Sequence, residues 1–293
     1  MRPRIEFIGA ARDRLGESPL WDPETGWLYW VDSVAPSVHR FDPATGRSEA
    51  RSTSDLIGSI GLRRPNLLIM ALRDGFYGLD FATGSETPLH RLGLPADQRL
   101  NDGKMDRQGR FLCGAMHRDG FDAPSAKLYR LHGDLRCDEL ESGILISNAL
   151  CFSPAGDTLY FADSPRGLLW AYPYDPVTGA VGPRRVLANL VALTGSSPDG
   201  ATVDAEGCIW IALVRTGQIG RLRPSGTLDY VFDVPVPHPT CPAFGGPGLR
   251  TLFVTSISDS GRLKSDHPDA GRLLAIEGLG VQGLPEARFA EVP

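Results

Sequence analysis

The sequence predicts an all-β fold, a six-bladed β-propeller with four-stranded blades, and three observations carry that prediction. First, a short apolar run that follows a turn recurs six times. Its copies read GWLYWVD at 26–32, PNLLIMA at 65–71, GRFLCGA at 109–115, DTLYFAD at 157–163, GCIWIAL at 207–213 and RTLFVTS at 250–256, and the third residues of successive copies lie 39 to 50 positions apart. A period of that size marks a solenoid or propeller. Second, 34 Gly and 24 Pro amount to near a fifth of the chain, against about 12% in average usage, which cuts it into short segments. Third, no 3.6-residue periodicity persists beyond about ten residues.

Each run is rich in β-branched and aromatic residues and bounded by turn signals, so it reads as a strand. The turns before them, such as DPETG at 22–26, SPAGD at 153–157 and DAEG at 204–207, combine a preset Pro φ, a self-bonding Asp and a permissive Gly. Further Asp-x-x-Thr-Gly turns at 42–46, 80–84 and 175–179 follow the third strand of a unit. Four short strands per unit, repeated radially, give six blades. The strand before each recurring run then lines the central channel. Ring closure asks for a blade shared by both ends of the chain; Arg4–Ile8 and Ala287–Val292 both alternate charged with apolar residues and are expected to lie in it. No linker is evident, so residues 1–293 read as a single propeller domain.

Composition removes several functional classes. A net charge of -5 offers no basic field for nucleic acid or anionic lipid. The first residues carry charge but no apolar h-region, and no run approaches 18 apolar residues, so the expectation is a cytoplasmic protein without a signal segment or membrane span. Cysteines 113, 137, 151, 208 and 241 are odd in number and widely spaced, which supports neither a disulfide framework nor a zinc knuckle. They read as buried small hydrophobes.

Counting back 10 or 11 positions from the third residue of each run reaches one mouth of the channel. Glu17, Asn101, Asn148 and Asp199 fall there in blades one, three, four and five, while blades two and six offer Leu56/Ile57 and Cys241/Pro242. The chain has four Asn, and two of them hold this position. Taken singly, Asp199-Gly200 and Asn101-Asp102-Gly103 also read as turns. Taken together, two acids and two amides converging on an axis need a cation or ordered water. Oxygen-only donors favour a hard ion. Glu17 is the least turn-like of the set.

Rival chemistries find little support. No G-x-S-x-G elbow occurs, and no two of the six His fall at i, i+4. Residues 278–283 match G-x-G-x-x-G, but Pro285 follows and too few residues remain for a helix and second strand. His117 and His238 fall near the mouth, where a lone His is usually a packing or surface residue.

Gly16-Glu17-Ser18-Pro19-Leu20-Trp21, Asn101-Asp102-Gly103-Lys104, Ile146-Ser147-Asn148, Pro198-Asp199-Gly200 and Ala243-Phe244-Gly245-Gly246 together resemble the gluconolactonase family that includes regucalcin. The resemblance runs from about Gly16 to Phe289. It implies a six-bladed propeller holding one divalent metal ion (Ca²⁺, Zn²⁺, Mg²⁺ or Mn²⁺) and hydrolysing sugar lactones to aldonic acids. By the same resemblance Glu17, Asn148 and Asp199 are the metal ligands and Asp199 is also the general base. Arg99, Asn101 and Asp119 contact the substrate. The expected partner is a small sugar lactone, with no obligate protein partner. Two alternatives are a calcium-binding regulatory protein without turnover and another hydrolase, phosphotriesterase-like, on the same propeller. Thr240-Cys241-Pro242 departs from the family's more usual Thr-Ser-Cys.

Overall fold

The computed structural model describes residues 3–118 and 124–292. Six four-stranded antiparallel sheets form the blades of a ring. The innermost strands are Gly16–Asp22, Ile57–Leu62, Gln98–Met105, Ser147–Phe152, Pro198–Val203 and Pro239–Gly245. Each is followed by one of the six recurring runs as its second strand, as the spacing predicts. The turns behave as their residues require: Gly46, Gly84 and Gly179 take φ of 74°, 78° and 76°. Their N–H groups bond back to Asp42, Asp80 and Asp175 at 2.8, 2.8 and 2.7 Å. A one-turn helix at Leu190–Thr194, capped by the Asn189 side chain, interrupts the pattern beside blade four.

The core lies between blades, where sheets pack face to face. Phe76, Phe111, Phe161 and Trp170 fill the wedge of blades two to four, and Trp210, Phe244, Leu252 and Ile276 that of blades five and six. Phe161, with no exposed surface, is worth about 2–3 kcal/mol through burial. This packing holds the inner strands rigidly around the channel.

Ring closure differs in part from expectation. Arg4–Ile8 is the outer strand of blade six, but its neighbour is Leu273–Glu277, from Arg4 opposite Glu277 to Ile8 opposite Leu273. Residues 287–292 form no blade strand. They belong to a tail that crosses the lower mouth of the channel. Gly283 N–H bonds Leu249 O and Ala205 N–H bonds Gln282 O on the side of blades five and six. Phe289, Ala290 and Val292 bond Leu62, Gly109 and Gly133 on the side of blades two and three. The alternation read as a strand serves this crossing: Ala287 and Phe289 face the core, while Arg288 and Glu291 pair with Asp22 and Arg63. The glycine-rich segment 278–283 opens the tail, and no helix follows it among the described residues.

At the junction of blades one and six, Asp13 is buried with 3% exposure. Its backbone N–H bonds Gly271 O at 2.8 Å, and its carboxylate accepts from the Trp30 indole at 2.9 Å. Burial, then the nearby Asp32 charge, push this carboxyl up to about 8. The folded chain keeps a proton that the unfolded chain, titrating near pH 4, has released. The associated stability is present below about pH 4 and is lost as pH rises through about 8. Melting temperature is therefore expected to fall between pH 5 and 8.5. In Asp13→Asn, which cannot ionise, that fall should be smaller; an unchanged profile would place the proton elsewhere.

Candidate active site

Every inner strand carries a register shift near its start, between Glu17 and Leu20, Ile57 and Ser59, Leu100 and Gly103, Asn148 and Cys151, Pro198 and Ala201, and Pro239 and Pro242. A bulge re-aims side chains and ends regular pairing. Glu17 and Asn148 precede their bulges, opposite Val31 and Ala162. Asn101 and Asp199 lie inside theirs, opposite Gly114 and Ala212. All four therefore sit at one level of the ring, and the count back from the anchors differs by one because the extra residue falls on different sides.

The residues after Glu17 and Asn148 are strained. Ser18 and Ala149 are buried with φ of 50° and 55°, a left-handed geometry that costs a non-glycine residue about 1–3 kcal/mol. Ser18 Oγ accepts from Ile60 N–H at 3.0 Å, tying this bulge to blade two. The Asn and Asp positions are not turns, because both belong to inner strands. Gly58 and Gly200 are required by close approach. A Cβ on Gly58 would lie 2.3 Å from the Asn101 carbonyl oxygen, and one on Gly200 would lie 2.4 Å from Cys241 Sγ.

The structure brings Glu17, Arg99, Asn101, Asn148 and Asp199 together. Glu17 is half-buried, and the other four expose no more than 8%. Asn101 Nδ2 donates to Ser147 O at 2.9 Å and to Asn148 Oδ1 at 3.2 Å, which uses both amide hydrogens and leaves Oδ1 for a ligand. Asn148 Nδ2 donates to Ser164 Oγ at 2.8 Å, and that hydroxyl donates to Pro198 O at 2.7 Å. The chain of donors holds the Asn148 amide with its oxygen toward Asn101. Thr240, between blades six and one, bonds Gly16 O and Thr255 Oγ1 and so braces the strand that carries Glu17.

A third carboxylate, Asp102, joins this set; it stands in the quoted Asn-Asp-Gly-Lys motif without an assigned role. Its Oδ2 accepts from Leu150 N–H at 2.9 Å. Burial pushes Asp102 up to about 6 against the opposing influence of that bond and of Lys104. Burial also raises Glu17 well above the usual carboxylate range, reinforced by Asp199 and Asp102 and opposed by Arg99. Asp199 is raised by burial and then by Asp102, with Arg99 again opposing. Arg99 itself is lowered to about 10 by burial. Three carboxylates thus share a poorly hydrated space, so an added cation would relieve their repulsion. The two carboxylates and the amide oxygen are the donor set of a hard cation.

Asp119 lies outside the described residues. His117 is occupied by Ser125 Oγ at 2.8 Å and Asp97 at 3.4 Å, and His238 by Val214 O at 2.9 Å. Among the described residues one acidic and thiol trio, Asp204, Glu206 and Cys208, closes to within 4.8 Å. Arg221 already occupies it, 2.7 Å from Asp204 and 2.5 Å from Glu206.

The SMP-30/Gluconolactonase/LRE-like region matches residues 15–258, from the strand carrying Glu17 to the loop after the last recurring run. The chain belongs to this family. It is 35% identical to the 6-deoxy-6-sulfogluconolactonase of Pseudomonas putida, over 94% of this chain and 95% of that one. It is 32% identical to the pentonolactonase of Haloferax volcanii, over 94% of each. The crystal structure of a calcium-binding protein, regucalcin, from Agrobacterium tumefaciens superposes with a TM-score of 0.89 at 30% identity, covering 97% of this chain and 98% of that one. Membership accounts for the order of the motifs, and the close approach of the inner strands accounts for their glycines. Gly58→Ala should therefore cost roughly 2–3 kcal/mol, because the obstacle is backbone and cannot rotate away. Urea unfolding measures it, and a change under about 0.5 kcal/mol would show that the strand separates freely.

Proposed function

We propose that this protein is a metal-dependent sugar lactonase, opening aldonolactones to aldonic acids on a single propeller domain. The observation that carries the reading is the convergence of Glu17, Asn148 and Asp199 from three blades, with two carboxylates held in a space too dry for like charges. The family relationship to proteins named as lactonases supports the same reaction class.

Glu17, Asn148 and Asp199 would hold one divalent ion, with Ca²⁺, Mg²⁺, Mn²⁺ and Zn²⁺ all compatible with oxygen donors. When bound it supplies Lewis acidity to the lactone carbonyl. The Asp199 carboxylate takes the proton of the attacking water as its oxygen bonds to the carbonyl carbon. The bond from that carbon to the ring oxygen then breaks, and the proton passes to the released oxygen as the product hydroxyl. Arg99 donates to sugar hydroxyls, and Asn101, its hydrogens already used, offers Oδ1 as an acceptor. Fixing the lactone between these groups lets one carboxylate act at the right face.

A pH-stat assay on glucono-, galactono-, arabinono- and xylonolactone, with and without each metal, tests the reading. Metal-stimulated turnover of at least one lactone is expected. Tight metal binding without turnover on the whole panel would favour a calcium-binding regulatory protein instead. Asp199→Asn should melt near the wild-type temperature and lose at least about a hundredfold in kcat; near-normal turnover would remove Asp199 as the base. Glu17→Gln should weaken the metal at least about tenfold by calorimetry, since a charged ligand becomes neutral. Unaltered affinity would place Glu17 away from the ion.

A further inference from the structure

Below the proposed metal ligands, the channel holds a buried ion pair that the reaction itself does not use. Lys104 Nζ lies 2.5 Å from Glu286 Oε1, with side-chain exposures of 16% and 11%. Lys104 follows Asp102 by two residues on the inner strand of blade three. Both are the half-buried positions of an alternating pattern, so they face the channel about 7 Å apart along the strand. Ser18, Asp102, Lys104, Cys241 and Glu286 line one cavity. The Cys241 thiol feels Glu17, Asp102, Lys104 and Asp199 together. Glu286 comes from the tail, whose bonds to opposite sides of the ring place this carboxylate at the channel floor.

A structural fastening would need no charge here, since an apolar plug closes a channel at lower desolvation cost. Lys104 acts directly on the acids above it: its ammonium opposes the rise that burial imposes on Asp102. The same positive charge disfavours a cation held by those acids, and Glu286, paired with Lys104 at 2.5 Å, offsets it.

We propose that the Lys104–Glu286 pair sets the charge of the channel, Lys104 opposing and Glu286 favouring the divalent ion, so that the C-terminal tail tunes metal affinity without touching the metal. Both are positioning residues, acting by field along the channel. The inference rests on the metal reading above and assigns these two residues a part in it.

Calorimetric titration of the metal-stripped full chain with Ca²⁺ and with Mn²⁺ at pH 8 tests it, using wild type, Lys104→Met, Glu286→Gln and the double variant. Lys104→Met should bind about three- to tenfold tighter, Glu286→Gln weaker by a similar factor, and the double variant within about twofold of wild type. Opposite signs separate a field effect from damage to the fold, which would weaken binding in both single variants. Thermal melts identify any variant that fails to fold. The near-isosteric Glu286→Gln and the charge-neutral double variant keep the question answerable if Lys104→Met does not fold. Weakening in both single variants, or no change in either, would overturn this inference alone. A wild type that takes up neither ion would overturn the metal reading with it.

Discussion

Like-charged carboxylates kept out of water at the axis of a ring are the constraint on which the rest of this molecule turns. Burial raises the proton affinity of Glu17, Asp102 and Asp199. Asp102 adds to the rise at both of the others and Asp199 to that at Glu17, while Arg99 opposes it at Glu17 and Asp199. Such an arrangement is unfavourable for a fold with no use for it, since burying unpaired charge costs several kcal/mol. It persists because the scaffold is rigid enough to hold it. Six sheets packed face to face, with aromatic side chains filling the wedges, leave the inner strands little freedom to part.

The device that aims the side chains is the bulge at the head of each inner strand. Regular pairing would send alternate residues to opposite faces. The inserted residue lets Asn101 and Asp199 reach the level already held by Glu17 and Asn148. The left-handed Ser18 and Ala149 show where this geometry strains the backbone. Gly58 and Gly200 show where neighbouring strands come too close for a side chain. The strain at Ser18 and Ala149, the close approaches at Gly58 and Gly200 and the acids Glu17, Asp102 and Asp199 meet at this one end of the channel.

The other end is closed by different means. There the tail supplies Phe289 to the core and Glu286 to the channel, so a segment remote in sequence from every motif of the site forms its floor. The channel is therefore asymmetric. Its upper end carries donors and acceptors with unused capacity, and its lower end carries a paired lysine and glutamate.

Much of this was legible in the chain itself. The recurrence of runs such as GWLYWVD and GCIWIAL encodes strand, turn and blade number, because hairpins are local and their turn residues act within four or five positions. The level of Glu17, Asn101, Asn148 and Asp199 follows from the same spacing. Asp102 and Lys104 were visible in the motif yet carried no role, since only the bulge decides which residues of that strand face the axis. The alternation at 287–292 suggested a blade strand, and the long connection after the last run placed Leu273–Glu277 there instead. That Glu286 meets Lys104 was decided by tertiary structure alone. Local sequence determines dihedral angles and hydrogen bonds to near neighbours, whereas contacts between segments over a hundred residues apart arise only when the ring has closed.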